Sequence, residues 1–157
     1  MITDAPLPAV DEDSAGFWEG CAAGELRMQT CASCGRRRFP PRPMCPFCRS
    51  LEFRWDAMSG RGEVWSFVVP HPPLLPAFQA LAPYNVVVVS LEEDPSLRLV
   101  GNVVAGPSEP INSVPLDSLW IGMPVQVVFQ PAGEDIVLPR WMPASGAAPA
   151  PAPASKE

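Results

Sequence analysis

Four of the five cysteines lie in two C-x-x-C pairs, and this spacing constrains the fold more than any other feature of the sequence. Cys31 and Cys34 form the first pair, Cys45 and Cys48 form the second, and residues 35–44 separate them. Structural Zn²⁺ takes four ligands in tetrahedral geometry, and each C-x-x-C turn brings two thiolates to one ion. We therefore predict a structural zinc site, because four thiolates leave no position for a catalytic water.

The residues around the cysteines favour tight turns. Gly35 follows the first pair, where a knuckle needs a positive φ, and Pro46 fixes a turn inside the second pair. Iron bound by the same thiolates is an alternative, as are two disulfides or four unrelated thiols. We favour zinc, because nothing in the sequence requires electron transfer and the absence of a secretion signal predicts reduced thiols. Cys21 is left over and is predicted to be a small buried residue.

The remaining sequence predicts a mainly β protein with one N-terminal helix. The stretch "DSAGFWEGCAAGELRMQ" offers Asp13 or Ser14 as N-cap and has apolar residues near helical spacing. Five strand patterns follow the cysteines, of which "EVWSFVV" and "NVVVVSL" are the clearest. Five strands with unequal loops and no long helix between them fit a Greek-key barrel of the OB type. A sandwich with one strand missing is the structural alternative.

We predict one globular unit whose two ends are disordered. The ends lack apolar periodicity or large side chains, so they cannot join a core. No apolar run is long enough to span a bilayer, and we expect a cytoplasmic protein without membrane contact. The predicted segments are a disordered N-terminus (1–12), a helix (13–30), a zinc ribbon (31–56), an OB-fold (57–142) and a disordered Pro/Ala tail (143–157).

Positive charge is concentrated around the cysteines. The chain has a formal net charge of −6, yet residues 36–61 contain seven arginines and two acids, a local charge of +5. Guanidinium groups bind phosphate through bidentate hydrogen bonds, so Arg42, Arg49 and Arg61 are candidates for an anion-binding surface. A solvated face around the knuckle is the alternative interpretation, because runs of charge usually are solvated.

The sequence contains no pattern typical of a catalytic site. His71 is the only histidine, and it lies between prolines without a nucleophile motif such as G-x-S-x-G. The acidic stretch "LEEDPS" joins two predicted strands and is typical of a solvated turn. We therefore predict no catalytic residue in this chain.

The sequence has more large apolar side chains than a five-stranded barrel needs to fill its interior. Exposed aromatic groups commonly mark interfaces with other proteins. The loop at 70–83 is rich in proline and can present such groups at little entropic cost. Packing of these groups against the barrel ends is the alternative. The candidate partner contacts are Phe17, Trp18, Trp65, Leu74, Leu75 and Phe78.

In sequence order, these features resemble the family of domain-of-unknown-function 35 proteins, in which a rubredoxin-like zinc ribbon is joined to an OB-fold. The resemblance covers about residues 16–142. Trp141 departs from the phenylalanine-type residue expected near the end, which affects edge packing rather than the fold class. The matching segments are "FWEGCAAGELRMQTCASCG", "PPRPMCPFC", "SGRGEVWSFVVPHPP", "PYNVVVVSLEED", "RLVGNVV" and "IGMPVQVVF".

The resemblance implies an accessory subunit in acyl-CoA metabolism. Similar proteins pair with thiolase-like enzymes, which include lipid-transfer-protein-type aldolases of steroid side-chain breakdown and acetoacetyl-CoA thiolases, and the partner carries the catalytic residues. We therefore expect a non-catalytic subunit of a hetero-oligomer that contains structural Zn²⁺, and contact with the CoA thioester is a further expectation. Binding of single-stranded nucleic acid is the alternative function, because zinc ribbons and OB barrels often bind single strands. It is disfavoured because Lys156 in the tail is the only lysine, so the strands offer no extended basic track.

Overall fold

The computed structural model describes residues 5–145, which form two helices and two β-sheets. A three-stranded sheet has the order β2-β1-β3, and a five-stranded sheet has the order β6-β5-β4-β7-β8. One turn of 3-10 helix, Leu116–Ser118, precedes β7. The helices are α1 (Ala15–Ala22) and α2 (Pro76–Gln79), and the strands are β1 (Leu26–Cys31), β2 (Arg37–Arg38), β3 (Phe53–Met58), β4 (Arg61–Val68), β5 (Val86–Leu91), β6 (Arg98–Gly101), β7 (Pro124–Ala132) and β8 (Ile136–Pro143).

Helix α1 is shorter than the predicted range of 13–30. The observed helix begins after Ser14, one of the two predicted N-cap residues, and ends at Ala22. Gly24 has a φ of 76°, a left-handed conformation that commonly ends helices and that glycine adopts at little cost. The residues from Leu26 onward form β1 instead, which pairs with β2 on one side and with β3 on the other.

The ribbon sheet is held together across its central strand by a buried glutamine. Gln29 on β1 pairs with Arg38 on one side and Trp55 on the other. Its Oε1 accepts hydrogen bonds from Arg38 Nε at 2.6 Å and from the Arg42 amide at 2.9 Å. These bonds fix the segment between the two cysteine pairs onto β1. The ribbon therefore includes all of β1 and β3, which extend beyond the predicted limits of 31–56.

The five-stranded sheet curls into the predicted OB-type arrangement. All neighbouring strands within it are antiparallel. The segment after β6 meets β8 through a parallel bridge between Val103 and Trp141. There the Val104 amide donates to the Trp141 carbonyl at 2.8 Å, and the Trp141 amide donates to the Asn102 carbonyl at 3.0 Å. The predicted fold class, with its helix, four-cysteine ribbon and five barrel strands, is confirmed.

One hydrophobic core joins the barrel to α1. Phe17 and Cys21 of the helix belong to the same buried cluster as Val64, Val87 and Trp141 of the barrel. Trp141 is fully buried at the point where β8 meets the segment after β6. The residue that departs from the family pattern therefore packs in the core rather than at an edge.

The predicted disordered ends lie partly outside the described residues. Residues 5–12 contain no helix or strand, and Pro8 and Ala9 line a cavity beside the barrel. Disorder of residues 1–12 stays a prediction. Most of the predicted tail at 143–157 lies outside the described residues. In residues 5–145, neither helix has the length and apolar character needed to cross a membrane.

Candidate metal centre

The four paired cysteines converge on one point between β1 and the loop that leads to β3. Their sulfur atoms all lie within 4.8 Å of one another. Cys31 Sγ lies 3.5 Å from Cys48 Sγ, and Cys34 Sγ lies 3.7 Å from Cys45 Sγ. Zn–S bonds of about 2.3 Å in a tetrahedron place sulfurs about 3.8 Å apart, whereas a disulfide needs about 2.05 Å. The donor set and its spacing therefore fit a Zn²⁺ ion.

The two C-x-x-C turns have the same backbone geometry. The Gly35 amide donates to the Cys31 carbonyl at 3.0 Å, and the Arg49 amide donates to the Cys45 carbonyl at 2.9 Å. Both donors have a positive φ, 71° at Gly35 and 63° at Arg49. The prediction for Gly35 is confirmed. Arg49 adopts the same conformation with a side chain present, which costs about 1–2 kcal/mol relative to a right-handed conformation.

Backbone amides also stabilise the thiolate form of the two buried cysteines. The amides of Cys34 and Ser33 lower the pKa of the Cys31 thiol to about 6. The amides of Cys48 and Phe47 lower the pKa of the Cys45 thiol. Hydrogen bonds to a charged group favour that form, and the thiolate is the form that binds metal. The backbone amides of both turns thus favour the thiolate form that binds a metal cation.

A zinc ion held by this set would cross-link the end of β1 to the loop before β3. Four protein ligands close the tetrahedral shell, so the ion would stabilise the ribbon without binding substrate. Metal-binding free energy in such ribbons is also folding free energy. Zn²⁺ therefore has a structural role here.

Several arginines near the centre serve the fold. Arg38 is buried, and its Nη2 donates to the Arg42 carbonyl at 3.1 Å. The guanidinium of Arg36 lies 4.2 Å from the centroid of the Phe47 ring, a cation–π contact. The local positive charge therefore overstates the charge that faces solvent.

The three arginines predicted to bind anions lie in different surroundings. Arg61 forms an ion pair with Glu92 across β4 and the turn after β5. Arg42 and Arg49 are exposed and form no ion pair within residues 5–145. Of these three arginines, Arg42 and Arg49 are therefore the two without an ion pair in the described part of the chain.

The residues predicted to contact a partner also differ in the exposure of their side chains. Phe17 is 3% exposed and cannot meet a partner, so the prediction is wrong for this residue, because α1 packs onto the barrel. Trp18 is half-buried beside it, with ring centroids 4.9 Å apart. Trp65 and Leu75 are exposed. Leu74 and Phe78 are half-buried in the proline-rich loop and remain candidates.

A second exposed apolar surface was not anticipated from the sequence. It lies on the zinc ribbon, around the second cysteine pair, and consists of Met44, Phe47, Leu51 and Phe53. The sequence feature that could have predicted this surface is the placement of two large apolar residues at the second cysteine pair. Met44 directly precedes Cys45, and Phe47 lies between Cys45 and Cys48. Side chains on such a turn have no core of their own to enter, so large apolar residues there remain exposed.

The other candidate reactive groups are not arranged for catalysis. His71 is exposed, in the loop before α2. Cys21 is buried in the core, and this burial raises the pKa of its thiol to about 12. It therefore stays protonated at neutral pH, as expected for a small buried residue.

A four-cysteine ribbon followed by a five-stranded barrel defines the class of zinc ribbon–OB-fold proteins. Residues 18–54 match the family described as "ChsH2, rubredoxin-like zinc ribbon domain", and residues 55–130 match "ChsH2, C-terminal OB-fold domain". The chain belongs to this ChsH2 family, which confirms the resemblance found in the sequence.

Similar proteins of known sequence bear two kinds of name. A "DUF35 domain-containing scaffold protein" of Methanocaldococcus jannaschii is 36% identical over 67% of this chain and 67% of its own length. A "probable enoyl-CoA hydratase alpha subunit" of Thermomonospora curvata is 38% identical over 88% of this chain and 40% of its own length. The "3-oxo-4,17-pregnadiene-20-carboxyl-CoA hydratase alpha subunit" of Mycobacterium tuberculosis is 36% identical over 74% of this chain and 36% of its own length. The chain thus spans two-fifths or less of both hydratase subunits.

A solved structure with the same architecture is titled "Ltp2-ChsH2(DUF35) aldolase". One of its chains is 37% identical to this chain and superposes with a TM-score of 0.75. The match covers 88% of this chain and 99% of that chain. The described fold is therefore also that of nearly a whole chain in an aldolase.

Proposed function

We propose that this chain is a non-catalytic accessory subunit that binds a thiolase-fold acyl-CoA enzyme of the lipid-transfer-protein aldolase type. The observation that carries the proposal is its similarity to almost the full length of a chain in the Ltp2-ChsH2(DUF35) aldolase. The scaffold name of the methanogen relative supports the same role. The hydratase subunits support association with acyl-CoA chemistry.

The chemistry of the described residues supports placing catalysis on the partner. Four thiols form the metal centre, and the fifth is buried in the core. His71 is exposed, and its side chain forms no hydrogen bond within residues 5–145. A catalytic histidine normally lies within hydrogen-bond reach of a nucleophile or of an orienting group.

The outer side of β4 and the loop that follows it supply the proposed partner contact. Trp65 lies on β4, and the Arg98 guanidinium stands 3.8 Å from its ring centroid. Leu75 is 58% exposed in the loop after β4. An exposed aromatic group, an arginine and nearby aliphatic groups form the composition typical of interface hot spots.

Contact with the CoA portion of a thioester is the finer part of the proposal. Arg42 and Arg49 are the exposed, unpaired cations of the predicted set, and guanidinium groups bind phosphate well. Arg61 contributes less because it is paired with Glu92. This pairing and the stacking of Arg98 on Trp65 also reduce the basic surface that a nucleic acid would need.

The test is binding to a lipid-transfer-protein-type aldolase subunit from the same genome. The zinc-loaded chain and the aldolase subunit are co-expressed, and the mass of the purified species is measured by light scattering. We expect a hetero-oligomer at micromolar concentration. Separate species at that concentration would contradict the proposal.

A matched pair of substitutions locates the contact. Leu75→Asp places a charge in the proposed surface and should weaken the complex by at least about tenfold. Ile121→Asp makes the same change at a residue that is 68% exposed in the turn before β7, and it should leave the complex intact. Equal effects of the two changes would exclude the loop as the contact.

A further inference from the structure

A cleft lies where the N-terminal segment, α1, the zinc ribbon and the barrel meet. Its volume is about 500 Å³, within the range of small-molecule sites. Pro8 and Ala9 form one side, and the Phe39–Pro41 segment of the ribbon forms another. The barrel contributes the ends of β6 and β8. The residues that line the cleft include neither the four cysteines of the metal centre nor Trp65 and Leu75 of the proposed partner surface.

Arg140 of β8 is the one cationic residue among those that line this cleft. Its Nε donates to Gln130 Oε1 at 3.3 Å, and its Nη1 donates to Asn102 Oδ1. Both acceptors are neutral amides. No carboxylate of residues 5–145 forms an ion pair with Arg140, and burial lowers the pKa of its guanidinium. A largely desolvated guanidinium without a counter-ion is a strong site for an anion.

The rest of the lining is mostly apolar. Phe17 of α1 packs against Phe39 of the ribbon, and Trp18, Leu99 and Leu138 also line the cleft. Concave sites with apolar walls and a few convergent polar groups are typical of small-molecule binding. The ligand should therefore have an apolar body beside its anionic group.

Two carboxylates at the mouth limit the charge of the ligand. Asp11 and Asp13 both line the cleft. Asp11 is already engaged, since its Oδ1 accepts from the Ser14 amide at 2.8 Å and from the Ser14 hydroxyl at 2.5 Å. With one guanidinium against two carboxylates, a polyphosphate such as CoA would be repelled. A ligand with a single negative charge meets much less of this repulsion and can still pair with Arg140.

We propose that this cleft binds a small monocarboxylic acid with an apolar body, whose carboxylate pairs with Arg140 while its body lies between α1 and the Phe39–Pro41 segment. The proposal does not depend on the accessory-subunit function. It requires only the zinc-loaded, folded chain.

The test uses octanoate as the probe and octan-1-ol as its uncharged analogue. Calorimetric titration of the zinc-loaded full chain should show binding of octanoate at least about tenfold tighter than that of octan-1-ol, because the charge-assisted hydrogen bonds are lost with the alcohol. In ¹H–¹⁵N spectra, octanoate should shift the indole N–H resonance of Trp18. The indole resonance of Trp65, which does not line the cleft, should stay in place.

A matched pair of surface variants tests the location without touching the barrel's hydrogen bonds. Val100 lines the cleft and is 69% exposed, whereas Val68 is 60% exposed on the same sheet outside it. Val100→Glu should weaken octanoate binding at least about tenfold, and Val68→Glu should leave it unchanged. Arg140→Gln, if cooperatively folded, should abolish the preference for octanoate over octan-1-ol. Equal binding of the two probes, equal effects of the two valine variants, or an unmoved Trp18 resonance would each overturn the proposal.

Discussion

Gly16 of α1 lies against the indole ring of Trp55 on β3. A Cβ atom added at Gly16 would stand 2.3 Å from both Nε1 and Cε2 of that ring. Real Cβ atoms do not approach other heavy atoms so closely, so only glycine allows the helix to reach the ribbon sheet here. This contact joins the helix, which shares the barrel core, to the domain that holds the metal centre.

Gly16→Val should therefore destabilise the protein. Overpacking of this kind costs about 1–3 kcal/mol, to which loss of the close helix–ribbon contact adds. Chemical denaturation of the zinc-loaded protein measures the change in the free energy of unfolding. Ala22→Val is the matched control, because Ala22 is an exposed residue of the same helix. If both variants lose the same stability, the contact with Trp55 does not constrain the helix.

Replacement of a metal ligand should release the ion and unfold the ribbon. Cys34→Ser removes one thiolate from a closed shell, and binding free energy in such sites is folding free energy. Elemental analysis should find about one zinc per wild-type chain and much less in the variant. Cys21→Ala is the control, since Cys21 lies in the core outside the cluster and should leave the zinc content unchanged. Folded wild-type protein that contains no metal would refute the site.

Arg49 should tolerate glycine better than a β-branched residue. Its φ of 63° lies in the left-handed region, which glycine adopts freely and valine strongly disfavours. We expect Arg49→Val to be less stable than Arg49→Gly by about 1–2 kcal/mol in denaturant unfolding of the zinc-loaded protein. Arg42→Val, at an exposed arginine outside the turn, should have little effect. Equal stability of the two Arg49 variants would show that the turn does not require this conformation.

Stability should decline at alkaline pH because of Cys21. Burial raises the pKa of its thiol to about 12 in the folded protein, above the value of about 8.5 for an unperturbed thiol. Below the unfolded pKa the thiol is protonated in both states, so its contribution is fully present. As pH rises toward the folded pKa, the unfolded state loses the proton first, and this contribution is progressively lost.

Denaturant unfolding between pH 8 and pH 10 checks this prediction. The free energy of unfolding of the wild type should fall more steeply with pH than that of Cys21→Ala, because the other titrating groups are common to both proteins. Parallel pH profiles would show that Cys21 is not buried as a neutral thiol.

The parts of the fold that depend on local sequence were predictable. The metal ligands follow from spacing alone, and the barrel strands follow from runs of β-branched residues. The length of the helix was not predictable, because apolar residues on both sides of Gly24 fit a helical period. The positive φ of Gly24, which ends the helix, is not visible in that pattern. The end of α1 could therefore be located only from the backbone conformation at Gly24.

The surroundings of individual side chains depend on contacts between segments that are separated in the sequence. These contacts could not be predicted from the sequence alone. Phe17 looked like an exposed aromatic group until α1 was seen to pack on the barrel. Arg38 counted toward a positive surface although it is bonded to Gln29 nine residues away. Arg140 meets Asn102 only because β8 closes against the segment after β6.

In the proposed function, this chain supports the activity of a partner and performs no chemistry itself. The most direct measurement is the initial rate of retro-aldol cleavage of an acyl-CoA substrate by the aldolase subunit alone, by this chain alone, and by the two together at equal micromolar concentration. We predict no turnover by this chain alone and a rate for the mixture well above that of the aldolase subunit alone. Turnover by the isolated chain, or an aldolase subunit that works equally well without it, would refute the proposed function.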